Sequence, residues 1–121
     1  MHMPPMRVLV VDDNAVNRKV ASTMLKRLDW QTEEADCGEV ALQRLEAGGF
    51  DAVLLDISMP GISGEEVCRA LRAREATRHL HIVAYTAHAM ESEKSRIMAA
   101  GFNAILIKPV SLDALQKAFA R

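Results

Sequence analysis

Short apolar stretches alternate along the chain with apolar residues at helical spacing. Four stretches are almost entirely apolar, at residues 8–11, 52–55, 82–85 and 104–107. Continuous apolar runs of this length are typical of strands buried on both faces of a parallel sheet. A fifth run, at residues 31–35, is more polar and alternates, which predicts an edge strand.

Between these stretches, apolar residues recur every three or four positions, as on one face of a helix. The first such stripe contains Val16, Val20, Met24 and Leu28, with Ala21 and Leu25 beside it. Further helices are predicted around residues 40–45, 67–71, 90–98 and 112–119, and we expect Met90 and Met98 to pack in the core. Strands that alternate with helices pair in parallel, so the sequence predicts an α/β fold of five strands and five helices.

Composition and charge narrow the possible functions. The chain has 121 residues, half of them apolar and 26% charged, which suits one globular domain. We expect residues 1–5 to be a disordered or cloning-derived N-terminus and residues 6–121 to form the domain. The net charge of −1 argues against nucleic-acid binding, and no apolar run is long enough for a membrane span. Cys37 and Cys68 form no disulfide framework, which favours a cytoplasmic location.

Residues that can carry chemistry follow four of the predicted strands. Asp12 and Asp13 come after the first, Asp56 ends the third, Thr86 ends the fourth and Lys108 follows the fifth. We expect them to converge, because sites in open parallel sheets form beyond the carboxyl ends of the strands. Clustered carboxylates repel one another, and Mg²⁺ relieves that repulsion. A carboxylate can also attack phosphorus to give an acyl phosphate.

Each of these residues also has an ordinary interpretation when it is considered alone. Asp12 and Asp13 could cap the first helix, Asp56 could be a loop acid and Lys108 a solvated surface lysine. The functional hypothesis rests on all five positions falling together at strand ends.

The sequence resembles the receiver domains of bacterial two-component response regulators. Four pieces in the family's order and spacing carry the resemblance: Val10-Val11-Asp12-Asp13; Asp56-Ile57-Ser58-Met59-Pro60 with Gly64 beyond it; Ala84-Tyr85-Thr86-Ala87; and Lys108-Pro109. The resemblance implies a flavodoxin-like, doubly wound (βα)5 parallel sheet with strand order 2-1-3-4-5. The segments at residues 11–18 and 86–90 resemble receivers that are fused to hybrid sensor histidine kinases.

The resemblance also implies a role for each matching residue. Asp56 is expected to accept a phosphoryl group from phosphohistidine. Asp13, Asp56 and the backbone carbonyl of Ser58 are expected to bind Mg²⁺, and Asp12 to hold a metal-bound water. Thr86 is the expected switch hydroxyl. Lys108 is expected to pair with the phosphoryl group, and the bond that follows it, before a proline, is cis in the family.

One departure from the family pattern affects how the signal is transmitted, and two further positions affect how long it lasts. Many receivers carry an aromatic residue three positions before the lysine, where this chain has Ile105. The aromatic switch is therefore absent or altered, and movement of the Thr86 loop and the fourth helix is expected instead. The resemblance implies that Ser58 and His88 occupy the positions that admit or shield the water that hydrolyses the acyl phosphate, although His88 could instead simply face solvent.

Three hypotheses follow for the function. The first is a switch that catalyses its own phosphorylation, with a histidine kinase or histidine phosphotransfer domain as partner. The second is a metal-dependent phosphatase, but Ser58 stands where such enzymes usually carry a second acid. The third is a non-phosphorylated binding module, which should have lost an acid or the lysine. We expect a monomer or weak dimer that contacts neither nucleic acid nor membrane through this domain.

Overall fold

A computed structural model describes residues 6–87 and 90–120 of the chain. Within these residues the elements are β1 (Met6–Val11), α1 (Ala15–Arg27), β2 (Trp30–Ala35), α2 (Gly38–Glu46), β3 (Ala52–Asp56), α3 (Gly64–Ala73), β4 (His81–Thr86), α4 (Glu91–Ala99), β5 (Ala104–Ile107) and α5 (Leu112–Ala118). This alternation confirms the predicted element order. No helix in the described part of the chain has the length and apolar character that crossing a membrane requires.

The strands form one parallel sheet in the order β2-β1-β3-β4-β5. This is the flavodoxin-like, doubly wound (βα)5 arrangement that the resemblance implied. The polar strand β2 lies at an edge, as its alternating pattern predicted. From β1 the chain adds β2 on one side of the sheet and then β3, β4 and β5 on the other side, with all strands parallel. The register pairs Val11 with Leu55 and Asp56 with Tyr85. The carboxyl ends of the three inner strands therefore meet at one edge.

Two apolar layers cover the sheet, one on each face. Helices α2, α3 and α4 pack on one face through residues such as Leu45, Leu71 and Ile97. Helices α1 and α5 pack on the other through Leu25 and Leu115. Because the central parts of β1, β3 and β4 are covered on both sides, their side chains there are apolar without alternation.

Two expectations about helix faces were wrong. Val16 and Val20 are 70% and 43% exposed, and α1 instead buries Ala21, Ser22 and Leu25. Met24 and Leu28, the other two members of the predicted stripe, pack against the same apolar layer as Ala21 and Leu25, so only the first half of the stripe faces away from the core. Met90, which precedes α4 as its N-cap, and Met98, which lies within it, are also exposed, at 66% and 46%. The buried residue of α4 is Ile97.

Candidate functional site

Three carboxylates and one ammonium group meet at the carboxyl edge of the sheet. Asp12 and Asp13 follow β1, Asp56 ends β3 and Lys108 follows β5. One carboxylate oxygen from each of the three acids lies within 4.8 Å of the other two. Lys108 Nζ lies 3.2 Å from Asp12 Oδ2 and 3.3 Å from Asp56 Oδ2. The structure therefore brings these four predicted residues into one cluster.

Hydrogen bonds from the backbone orient the two buried carboxylates. The Asn14 N–H donates to Asp12 Oδ1 at 2.8 Å, and the Ser58 N–H donates to Asp56 Oδ1 at 3.1 Å. In both residues the second oxygen, Oδ2, faces the Lys108 ammonium. In both carboxylates, Oδ1 is thus held by a backbone N–H, and Oδ2 is directed into the cluster.

The cluster has the properties of a site for a hard cation. Asp12 Oδ2 is buried and, among the described residues, accepts no hydrogen bond of ordinary geometry. Asp13 is exposed and opens the cluster to solvent. Carboxylate oxygens are the ligands that Mg²⁺ prefers, commonly one or two of them together with waters. The donor set therefore fits Mg²⁺.

The two remaining predicted site residues border this cluster. Thr86 is a buried residue at the end of β4, and its carbonyl oxygen accepts a hydrogen bond from Lys108 N at 2.8 Å. Ser58 is exposed in the loop between β3 and α3. The bond between Lys108 and Pro109 is cis, as the resemblance implied. The individual roles of these residues in catalysis and metal binding stay predictions.

Burial and charge alter the acid–base properties of the cluster. Burial, reinforced by the charge of Asp12 and partly offset by Lys108, raises the pKa of Asp56 from 3.8 to about 6. Burial opposes the charge of Lys108, but attraction to Asp56 and Asp12 outweighs it, so the pKa of Lys108 lies above its ordinary value. The charged form of Asp56 is therefore disfavoured and is stabilised by a nearby positive charge.

We expect Asp56→Asn to stabilise the metal-free protein at neutral pH. The folded protein keeps the Asp56 proton up to about pH 6, whereas the unfolded chain releases it near 3.8. Between these values the folded state binds more protons, so the free energy of unfolding of the wild type falls as the pH rises. The asparagine variant escapes this loss, which is at most about 2–3 kcal/mol.

Urea denaturation of both proteins in a chelator, at about pH 4 and about pH 7, measures this difference. The stability advantage of the variant should appear only at the higher pH. An advantage of equal size at both pH values would show that the folded state does not raise the pKa of Asp56.

A glycine at the start of α3 allows the helix to approach the end of β3. A Cβ atom placed on Gly64 would lie 2.3 Å from the backbone oxygen of Asp56. The Gly64 N–H also donates to the carbonyl of Ile57 at 3.1 Å. Gly64 therefore fixes the backbone immediately after Asp56, and its position in the sequence motif has a steric reason.

We expect Gly64→Ala to destabilise the protein by about 1–3 kcal/mol, the usual cost of forcing atoms into a packed site. Gly38→Ala is the matched control, because Gly38 likewise begins a helix and is buried. There, however, the atoms nearest to an added Cβ belong to the side chains of Ile62 and Val67 rather than to the backbone, so we expect a smaller loss of stability than at Gly64. Chemical denaturation compares the two variants. Equal losses of stability would show that the close backbone contact at Gly64 has no special cost.

Comparison with known proteins agrees with this geometry. The sequence-family model of the response regulator receiver domain matches residues 8–120, which is nearly the whole chain. The chain belongs to the response regulator receiver domain family.

Relatives of this receiver domain include both a protein of similar length and a much longer sensor protein. The chain is 35% identical over 113 residues to the chemotaxis protein CheY of Pseudomonas aeruginosa, covering 93% of this chain and 91% of that protein. It is 40% identical over 108 residues to the sensor protein GacS of Pseudomonas syringae pv. syringae, covering 87% of this chain. The chain spans only 12% of the length of that sensor protein.

Solved structures confirm the receiver fold. The receiver domain of a sensor histidine kinase from Pseudomonas aeruginosa superposes with a TM-score of 0.86 at 32% identity, covering 94% of this chain and 93% of that one. That structure contains a magnesium ion coordinated in its active site cleft. A putative response regulator from Chloroflexus aurantiacus gives a TM-score of 0.89 at 30% identity, covering 98% of this chain and all of that one.

Sequence reasoning missed the contacts that Arg18 makes at the receiver site. Arg18 Nη1 donates to the backbone oxygen of Asp12 at 2.8 Å, and its Nε lies 3.3 Å from Glu34 Oε1. Arg18 thus ties the loop that carries the first two acids to the edge strand β2. In the sequence, Arg18 belongs to the segment that resembles hybrid kinase receivers. That resemblance did not predict which residues Arg18 contacts.

The expectations for Ile105 and His88 have different outcomes. Ile105 is half-buried and packs against the apolar layer that α2, α3 and α4 cover. A side chain without a ring or hydroxyl therefore occupies the position of the usual aromatic. His88 lies outside the described residues, so its role in shielding the site stays a prediction.

Proposed function

We propose that this receiver accepts a phosphoryl group on Asp56 from a phosphohistidine of a partner protein. One observation supports the proposal above all others. Asp56 lies in contact with the Lys108 ammonium and beside two further carboxylates, at the carboxyl edge of a receiver sheet. The same cluster gives the domain a nucleophile, a fixed positive charge and a set of oxygen ligands.

In the proposed reaction a carboxylate oxygen of Asp56 attacks phosphorus. A P–O bond forms, giving an acyl phosphate, and the P–N bond to the imidazole of the donor breaks. The leaving imidazole keeps the electron pair of that bond and takes up a proton from solvent. Phosphoryl transfer depends mainly on positioning and charge neutralisation, so the domain needs no separate general base.

The chain's own residues would position and neutralise the reacting groups. Asp12, Asp13, Asp56 and the backbone carbonyl of Ser58 are the proposed Mg²⁺-binding groups. When bound, Mg²⁺ would supply positive charge to the phosphoryl oxygens and the carboxylates. Lys108 would provide a second positive charge, and the Thr86 hydroxyl would donate a hydrogen bond to a phosphoryl oxygen. Movement of Thr86 toward that oxygen would then change the loop that leads to α4.

The proposed partner is a histidine kinase or a histidine phosphotransfer domain. Relatives that are named sensor histidine kinases match this receiver over only 12% of their length, which supports a place in a relay. The free thiols Cys37 and Cys68 fit a reducing cytoplasm. The domain bounds of 6–121 stay a prediction. So does the expectation of a monomer or weak dimer that contacts neither nucleic acid nor membrane through this domain.

Intact mass spectrometry tests the proposal after incubation with a small phosphodonor and Mg²⁺. We expect a stable gain of one phosphoryl group, about 80 Da, and consumption of donor that stops when the protein is modified. Steady turnover of donor without an adduct would instead show a phosphatase. Neither adduct nor turnover would show a binding module that is not phosphorylated.

A further inference from the structure

The ring of Tyr85 lies directly beneath the charged end of Lys108. The ammonium nitrogen is 4.8 Å from the centroid of the ring, in addition to its contacts with Asp12 and Asp56. A cation within about 6 Å of an aromatic face is attracted to its negative electrostatic potential. The ammonium group is thus held by two carboxylates and an aromatic face.

The sheet places the ring there by its register and alternation. Tyr85 is the cross-strand partner of Asp56, one strand away. Its side chain belongs to the apolar layer under α1 and α5, together with Leu106 and Val110, and it is only 3% exposed. The ring therefore forms the floor of the site, between the carboxylate of β3 and the lysine that follows β5.

The ring acts as a neutral aromatic surface. Burial raises the pKa of the Tyr85 phenol above its ordinary value of 10, although the nearby Lys108 charge acts in the opposite direction. The phenol is therefore protonated at neutral pH, and no phenolate competes with the carboxylates for the ammonium. Since attraction to the ring face needs no hydroxyl, phenylalanine should serve the same purpose.

We propose that Tyr85 is a positioning residue for Lys108. Its ring holds the Lys108 ammonium beside Asp56, at the place where a phosphoryl group arrives. The consequence for rate rests on the proposed function, whereas the contact itself does not. The four-carbon stem of lysine is flexible, and the Lys108 side chain is 21% exposed. Without the ring, the ammonium would spend more of its time away from the acids.

The contact can be tested in the wild-type protein, because Tyr85 is the only tyrosine in the chain. Ring-labelled tyrosine therefore gives a single set of NMR signals. We expect nuclear Overhauser effects between the ring protons and the ε-methylene protons of Lys108, which should resonate upfield of those of the other lysines. Absence of these effects in the folded wild type would overturn the proposal.

Three variants of the full chain test the consequence. At saturating Mg²⁺, Tyr85→Leu should slow phosphorylation by a small donor about three- to tenfold. Tyr85→Phe should keep both the wild-type rate and the upfield Lys108 signals. Phe119→Leu is the control, because Phe119 is another buried aromatic residue of the same layer, stacked edge-on against Trp30 and away from the site. It should lose stability without losing rate.

Equal rates in Tyr85→Leu and the wild type would overturn the proposal, as would a loss in Tyr85→Phe as large as that in Tyr85→Leu. A wild type that accepts no phosphoryl group would instead refute the proposed function. The Overhauser effects and the Lys108 shifts would still decide whether the ring positions the lysine. The same NMR data decide the matter if Tyr85→Leu does not fold.

Discussion

Asp56→Asn should abolish phosphoryl acceptance while the protein stays folded. An amide is a far weaker nucleophile than a carboxylate, so the rate of labelling by a small phosphodonor should fall by at least about a hundredfold. Asp56 lies at the end of β3, where asparagine has the same shape and can still accept the hydrogen bond from Ser58 N. The loss should therefore reflect chemistry rather than unfolding, and intact mass spectrometry measures it.

Asp51→Asn is the matched control for this experiment. Asp51 precedes the same strand at the opposite edge of the sheet, where its side chain accepts a hydrogen bond from Arg7 N at 2.9 Å. Asparagine can accept that bond too, so this variant should be labelled like the wild type. Undiminished labelling of Asp56→Asn on the same peptide would refute the assignment of Asp56.

Removal of divalent cations should slow phosphorylation by about two to three orders of magnitude, the equivalent of a few kcal/mol of transition-state stabilisation. The physical reason is the excess of negative charge at the site. Lys108 contacts two carboxylates, and Asp13 adds a third beside them. An incoming phosphoryl group would meet these carboxylates with one ammonium to balance them.

The measurement compares labelling rates in excess chelator with rates after Mg²⁺ is restored. Circular dichroism of both samples serves as the control, because the fold should not depend on the metal. Rapid labelling in the chelator would contradict the metal dependence, and a rate that Mg²⁺ does not restore would point to damage by the treatment.

The fold was predictable because two periodicities in the sequence have direct physical causes. Strands covered on both faces, such as Ala52–Asp56, are buried along their whole length and therefore read as continuous apolar runs. The rule that parallel strands present their carboxyl ends at one edge then brought Asp12, Asp56 and Lys108 together. The strand order itself came from the family resemblance.

Details that depend on tertiary packing were not predictable in the same way. The packed face of α1 was misjudged because valine at positions 16 and 20 fits a stripe as well as the buried Ala21 and Leu25 do. The contacts of Arg18 with Asp12 and of Tyr85 with Lys108 could not be predicted, since each joins residues on different elements. Only the register of β3 and β4 places Tyr85 beside Asp56.

The most direct test of the central claim is to locate the phosphoryl group after transfer. The wild type is phosphorylated in the presence of Mg²⁺ by a phosphohistidine-containing donor domain and then reduced with borohydride, which converts an aspartyl phosphate to homoserine. Peptide sequencing by mass spectrometry should find homoserine at position 56 and unmodified aspartate at positions 12 and 13. Homoserine at either of those positions, or no homoserine in protein that received the phosphoryl group, would contradict the account.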